Sequence, residues 1–282
     1  MKKQFNRDNY LAKSQNDQLD VETVIDIEEL LPGFETWDKA LRESSKRQKC
    51  LKSRTTKKSH NLAIKLNDCS AENTCSSAAC PLCFREYRMS IISAVLRLAK
   101  QYSDCKSVTL VFYDDAMKSK DISKDKIEKL KNKLSKQLKR IGIQGPVVGS
   151  FEMDYHEDIG RWMPHFHLLM LDQPTEFKIL RTYMKRHINL GVRKGVKNRP
   201  MLSQRIKNHP KQISYLFKSY WKLVVPYIGY DGKRKTNKRR LKSIEHAKSL
   251  RTLDELGFKG LLFLYGVRRS GPWFDVTLSV RN

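Results

Sequence analysis

No apolar run in the 282-residue chain approaches the ~20 residues needed to span a bilayer; the longest, around Leu261 and Leu264, is strand-sized. A helical membrane span is excluded. The opening Met1-Lys2-Lys3-Gln4-Phe5 is polar, and no apolar stretch of a secretory signal follows it, so a cytoplasmic protein is expected. Acids are scarce: 30 Asp and Glu stand against 56 Lys and Arg, a formal charge of +26. That excess makes a polyanion the expected partner, and nucleic acid fits better than a membrane surface. Cysteine is too sparse for a disulfide scaffold, and four of the six (Cys69, Cys75, Cys80, Cys83) crowd into fifteen residues. In a reducing compartment that grouping points to a metal cluster, with Cys50 and Cys105 as bystanders. What is present, 39% hydrophobic and 9% aromatic residues, is enough for a packed core and excludes a disordered basic tail.

Charge divides the chain. Residues 16–45 hold nine acids against Lys39 and Arg42, and the sign flips at Lys46-Arg47-Gln48-Lys49, placing a boundary near residue 45. Ile25, Leu30, Leu31, Phe34 and Trp37 suit a short helix, while the first twenty residues lack periodicity and read as a mobile terminus. Four segments are expected: an N-terminal extension over 1–60, a cysteine-rich module with a helix over 61–104, a core over 105–225 and a basic segment over 226–282. Residues 178–251 contain 22 Lys or Arg and two acids, Asp231 and Glu245; Lys233, Arg234, Lys235, Lys238, Arg239 and Arg240 form the densest part. A solvated loop is the plain alternative, but so one-sided a bias favours contact with phosphates.

Ile91, Ile92, Val95, Leu96 and Leu98 predict a helix over 85–102, followed by a strand over 107–112. Ile127, Leu130, Leu134, Leu138 and Ile141 mark a second helix, capped by Ser123 and ended by Gly142. Strands over 146–155 and 164–171 flank a turn, and helices follow at about 175–189 and 209–224. This order predicts an α+β fold, an antiparallel sheet with helices on one face as in ferredoxin-like domains.

The chemistry concentrates in Pro164-His165-Phe166-His167-Leu168. Side chains two apart on a strand share a face, so His165 and His167 project together while Phe166 and Leu168 enter the core. On the preceding strand Glu152 and Asp154 also share a face, and a turn near residue 159 brings them opposite the histidines. Two imidazoles and one carboxylate hold a divalent cation and leave positions open for water and a phosphate oxygen. Glu152 is the favoured third ligand, with Asp154 the alternative if the register slips. Mn²⁺ or Mg²⁺ suits the set, and Zn²⁺ competes for it in vitro.

In Gln212-Ile213-Ser214-Tyr215-Leu216-Phe217-Lys218, a helix places Tyr215 and Lys218 on one face, with Lys211 and Lys222 along the same stripe. A phenol is mostly protonated at neutral pH, so a nucleophilic tyrosine needs a cation or base beside it. Alone, Tyr215 reads as an ordinary residue at the edge of a core; beside a histidine pair it reads as a nucleophile.

Together these residues resemble the HUH endonucleases, named for His-hydrophobic-His, and within them the single-tyrosine rolling-circle replication initiators of plasmids and phages. The likeness covers roughly residues 65–225. It extends to the strand Ser107-Val108-Thr109-Leu110-Val111 and to Cys80-x-x-Cys83 followed by Arg85 and Arg88, similar to a cysteine-rich segment ahead of the nuclease core in some initiators. Met163 stands where many relatives carry a further histidine, so that position adds no ligand. Tyr220, five residues after Tyr215, is turned away by about 140° on a regular helix, which implies a one-tyrosine mechanism. The resemblance implies sequence-specific nicking of single-stranded or extruded origin DNA: Tyr215 forms a 5′-phosphotyrosyl link, Lys218 holds the phenolate or steadies the phosphate, and host helicase and polymerase act on the product. A transposase or mobilisation relaxase shares that chemistry. A non-catalytic zinc-containing DNA-binding protein is the alternative of another class, and metal-dependent hydrolysis by water is a third. The spacing Cys69-x5-Cys75-x4-Cys80-x2-Cys83 suits structural Zn²⁺, with His60 an alternative to Cys69.

Overall fold

A computed structural model describes residues 34–102, 104–186, 189, 198–207, 209–218, 220–271 and 273–277. Ile25, Leu30 and Leu31 lie outside them. The chain begins with α1 (Trp37–Lys52), α2 (Lys57–Asn67) and α3 (Pro81–Lys100). The charge reversal near residue 45 falls inside α1, where Arg47 is buried and donates to Glu43 and to the Ala79 carbonyl. Both sides of the reversal thus belong to one helix, and residue 60 lies within α2.

Next come β1 (Cys105–Val111), α4 (Lys124–Ile141), β2 (Val147–His156), β3 (Arg161–Leu171), α5 (Pro174–Met184), β4 (Met201–Arg205) and α6 (His209–Leu216). Ser123 caps α4 by accepting from the Lys126 N–H, and Gly142 ends it at φ 84°, as the pattern predicts. The chain continues through β5 (Leu223–Ile228), β6 (Arg234–Arg239), α7 (Ser243–Leu261), β7 (Leu262–Tyr265), β8 (Val267–Ser270) and β9 (Trp273–Val276).

The fold is α+β around a mixed seven-stranded sheet ordered β4-β1-β3-β2-β5-β6, with β7 also paired to β2. The expected all-antiparallel sheet needs correction, because β5 pairs parallel to the end of β2. Residues 226–239 extend this sheet, and β7 pairs with the start of β2, so much of the basic C-terminal segment is built into the sheet.

Helices cover both faces, not one. Phe166, Leu168 and Met170 of β3 face α4, α5 and α7, while Leu169 and Val148 face α3 and α6. A strand apolar on both sides demands cover on both. The second face carries Glu152, His165 and His167 beyond the end of that cover. Gly149 is required here: a Cβ on it would stand 1.9 Å from the His167 carbonyl oxygen.

Candidate active site

The register of the central hairpin resolves the choice of carboxylate. Glu152 pairs directly with His165, and Ser150 with His167, so Glu152 lies beside both imidazoles; Asp154 is two pairs further along, opposite Met163. Glu152, His165 and His167 form a buried group able to hold a metal ion. Glu152 Oε2 is 3.5 Å from His165 Nε2 and 3.6 Å from His167 Nε2, too long for hydrogen bonds and close to the spacing of ligand atoms around one ion. The other nitrogens are committed: His165 Nδ1 is 3.2 Å from the Met163 carbonyl oxygen and His167 Nδ1 is 2.9 Å from the Thr109 hydroxyl. Such outer bonds orient the rings and leave each Nε2 facing the shared centre. Glu152 Oε1 and His167 Nε2 are buried without a hydrogen-bond partner, as atoms awaiting a cation would be.

Burial pushes the Glu152 carboxyl up, but His167, His165 and Lys218 outweigh it and hold it well below the usual carboxylate range. Burial also keeps His167 below the usual imidazole value against the pull of Glu152, so near neutral pH its ring is uncharged and its lone pair available. Asp154 is otherwise engaged: it accepts from the Lys222 backbone N–H at 2.8 Å and from Lys238 Nζ at 2.6 Å.

Tyr215 stands over this group. Its ring centroid is 5.5 Å from that of His167, and its side chain is 54% exposed. Lys218 Nζ lies 3.4 Å from the Tyr215 ring centroid and 4.0 Å from Glu152 Oε2, bridging phenol and carboxylate. A cleft of about 590 Å³ is lined by His165, His167, Tyr215, Lys211, Thr236 and Lys238, among others. The helix that brings Tyr215 here is shorter than its apolar pattern predicts, ending at Leu216. Lys218 therefore reaches the tyrosine from beyond the end of the helix, and the helical rotation expected for Tyr220 does not apply. Tyr220 nonetheless turns elsewhere, lining a small cavity with Phe84, Tyr87 and Trp221, and Lys222 sits 3.9 Å above its ring instead of Tyr215's.

Two side chains that sequence reasoning left without a role clamp α6. Ser150 donates to the Leu216 carbonyl. Arg88, on α3, donates through Nη2 to the Ser214 carbonyl oxygen at 3.2 Å and to the Ser214 hydroxyl at 3.0 Å, and through Nη1 to Glu35. Phe34 covers the guanidinium, its ring centroid 4.6 Å away. The signal was a pair of arginines, Arg85 and Arg88, at helical spacing on the apolar face of a predicted helix.

The second cluster begins α3. Cys69 and Cys83 sulfurs are 3.5 Å apart, Cys75 and Cys83 3.7 Å, and Cys69 and Cys80 3.6 Å, with no disulfide. Four thiolates about 2.3 Å from one zinc ion stand about 3.8 Å apart, so the group suits a metal such as zinc. Hydrogen bonds among the thiols pull Cys75 and Cys83 down, Cys83 to about 7, and push Cys69 and Cys80 up. Sulfurs this close cannot all ionise without a cation between them. His60 is not among them: it is exposed and its Nε2 meets the Arg54 carbonyl oxygen at 2.5 Å.

The basic segment divides. Arg240 is held by Glu43 at 2.7 and 3.0 Å, Arg234 by Asp158 at 2.5 Å, Lys238 by Asp154, and Lys235 by Asp231 at 3.3 Å. Lys233 and Arg239 have no side-chain partner among the described residues. Arg269 donates to Ser90 at 2.8 Å and packs against α3. Among the described residues no helix is long and apolar enough to cross a membrane. No protein-family model, curated protein or solved structure matches the chain.

Proposed function

We propose that the protein is a metal-dependent tyrosine endonuclease and strand transferase of the HUH type, nicking single-stranded or extruded DNA to initiate rolling-circle replication. One observation carries the reading: Tyr215 stands over a buried Glu-His-His group with an ammonium between them. The connectivity β1-α4-β2-β3-α5-β4 with strand order β4-β1-β3-β2 supports it, being the arrangement expected if the core is ferredoxin-like, with β5, β6 and β7 as additions. So do the net charge and the cleft beside the site.

His165, His167 and Glu152 would hold one Mn²⁺ or Mg²⁺ ion, and when bound the ion supplies Lewis-acid polarisation of the scissile phosphate. Tyr215 Oη attacks phosphorus, the phenolic proton is lost, and the bond to the 3′ oxygen breaks. That oxygen leaves with a proton as a 3′-hydroxyl, and the 5′ phosphate stays on Tyr215 as a phosphodiester. Lys211 and Lys238 line the cleft where the phosphate must enter, Lys238 paired with Asp154, and Lys218, against the Tyr215 ring, would hold the phenolate or steady the phosphate. Because the link conserves the phosphodiester, reversal rejoins strands without a nucleotide cofactor. The free 3′ end suits extension by a host polymerase, with a host helicase opening the duplex. The Cys69, Cys75, Cys80 and Cys83 group would hold structural Zn²⁺ and brace α3.

The test is incubation with circular single-stranded DNA and Mn²⁺ or Mg²⁺, then a denaturing gel. A metal-dependent protein–DNA adduct, absent in Tyr215→Phe, is expected. Cleavage without an adduct would make water the nucleophile, and binding with neither would favour a non-catalytic DNA-binding protein.

A further inference from the structure

Helices α4 and α5 cover the sheet face opposite the metal-binding group, sinking Leu134 and Leu138 from one and Phe177 and Leu180 from the other into a single core. Above that core a groove of about 690 Å³ runs between them. Its volume is that of a small-molecule site. The Gln173 side chain fastens one end, accepting from the Gln144 N–H at 2.9 Å and donating to the Gln144 carbonyl at 2.7 Å. The end of α4 is thereby held against the start of α5.

Two features distinguish the groove from a plain gap between helices. Gln137 lines it, is only 7% exposed, and has a side-chain amide with no hydrogen-bond partner among the described residues. Buried amides are almost always paired, and the groove is the space from which a partner for this one would come. The second feature is the start of α5. With Gln173 turned to Gln144, no side chain caps the helix, and the Thr175 and Glu176 N–H groups at its positive end lack an intrahelical acceptor. Thr175 lines the groove together with Arg140 and Lys178, whose charges are without side-chain partners among the described residues; no acid is among the described residues that line it. Uncapped N–H groups beside two unopposed cations make a phosphate site. Beyond it Ile141, Ile179 and Tyr183 supply apolar walls, and the Arg186 guanidinium lies 4.8 Å from the Tyr183 ring centroid.

We propose that this groove binds a free nucleoside triphosphate, with its phosphates at the start of α5 between Arg140 and Lys178 and its base against Ile179 and Tyr183, where the Gln137 amide meets a base edge. An amide offers donors and an acceptor together, which a base edge answers and inorganic phosphate does not. The fastened end selects a ligand that terminates there, because a nucleic-acid strand running through would meet the Gln144–Gln173 bridge. The groove lies across the sheet from Tyr215 and takes no part in strand transfer, so the proposal does not rest on the nuclease reading.

The experiment is calorimetric titration of the full-length protein, without added divalent metal, with ATP, GTP, CTP and UTP in turn and with inorganic tripolyphosphate. At least one nucleotide should bind one to one with a Kd below about 1 mM and about tenfold tighter than tripolyphosphate. Arg140→Ala/Lys178→Ala, two exposed side chains, should weaken both kinds of ligand at least tenfold. Gln137→Leu should weaken the nucleotide about fivefold or more and leave tripolyphosphate within twofold. Lys233→Ala/Arg239→Ala removes the same charge from β6 and should change neither by more than twofold. Thermal melting checks that each variant folds. No nucleotide bound more tightly than tripolyphosphate, an equal loss in the β6 variant, or unchanged binding in Arg140→Ala/Lys178→Ala would overturn the proposal. A tenfold loss of single-stranded DNA affinity in Arg140→Ala/Lys178→Ala would also overturn it, assigning the groove to a strand. Failure of the adduct assay would sink the nuclease reading and leave this one standing.

Discussion

Arg88 is the residue through which the Cys-rich end of the molecule reaches the nucleophile. Its side chain is 10% exposed, and its fork meets Glu35 on one side and both Ser214 oxygens on the other, one residue before Tyr215. Arg88→Lys keeps the charge but lacks the planar fork, so an ammonium satisfying Glu35 leaves Ser214 without its donors. Two hydrogen bonds to a charged group contribute about 1.5–3 kcal/mol each before relaxation, so a net loss of about 3 kcal/mol and a fall in Tm of roughly 6–12 °C follow. The larger consequence is positional. A shift of about 1 Å in a reacting group costs about 10²-fold in rate. Single-turnover adduct formation at saturating single-stranded DNA, well below the Tm, should slow about a hundredfold with the Kd for DNA within threefold. Leu134→Ala in α4, buried far from the site, should cost about 2–5 kcal/mol and leave that rate unchanged. Wild-type rates in Arg88→Lys, or equal slowing in Leu134→Ala, would refute a positioning role.

Thr109→Val removes the hydroxyl beside His167 Nδ1 at constant shape and should weaken Mn²⁺ binding 10–100-fold by calorimetry without lowering the Tm of metal-free protein. Cys80→Ala should abolish the one zinc per chain that elemental analysis of wild type should find, and lower the Tm, because the first turn of α3 then loses its anchor. Burial, then Arg240 and Arg47, hold His246 down to about 4. Below pH 6.5 the unfolded chain takes up the proton that the folded state refuses, so stability falls as pH drops from about 6.5 to about 4, by at most about 1.4 kcal/mol per pH unit. Urea melts of His246→Asn should lack that slope; an unchanged slope would place it elsewhere.

Much of the site was legible because strand periodicity is rigid. Alternation alone put His165 and His167 on one face, and a hairpin pivot near residue 159 narrowed the carboxylate to Glu152 or Asp154; the pairing Glu152↔His165 completed the choice. Helix ends were less legible. Ile213, Leu216, Phe217 and Trp221 all enter buried positions, so an apolar pattern continues through a segment where the backbone has left the helix. The parallel β2–β5 pair was invisible because Leu223–Ile228 carries no alternation that distinguishes it from the tail of a helix. The same holds for long-range partners. Arg240 finds Glu43, and Lys238 finds Asp154, across 197 and 84 residues, distances over which no local pattern reports a contact. The charge reversal at residue 45 misled in the opposite sense, since Arg47 and Glu43 pair one turn apart within a single helix.

Peptide mapping of the covalent adduct tests the central claim most directly. Wild-type protein reacted with single-stranded DNA and Mn²⁺, then digested with nuclease and trypsin, should yield a nucleotide-modified peptide spanning residues 212–218, with fragmentation placing the phosphodiester on Tyr215. Modification on Ser214 or on Tyr220, or cleaved DNA with every tyrosine unmodified, would contradict the account.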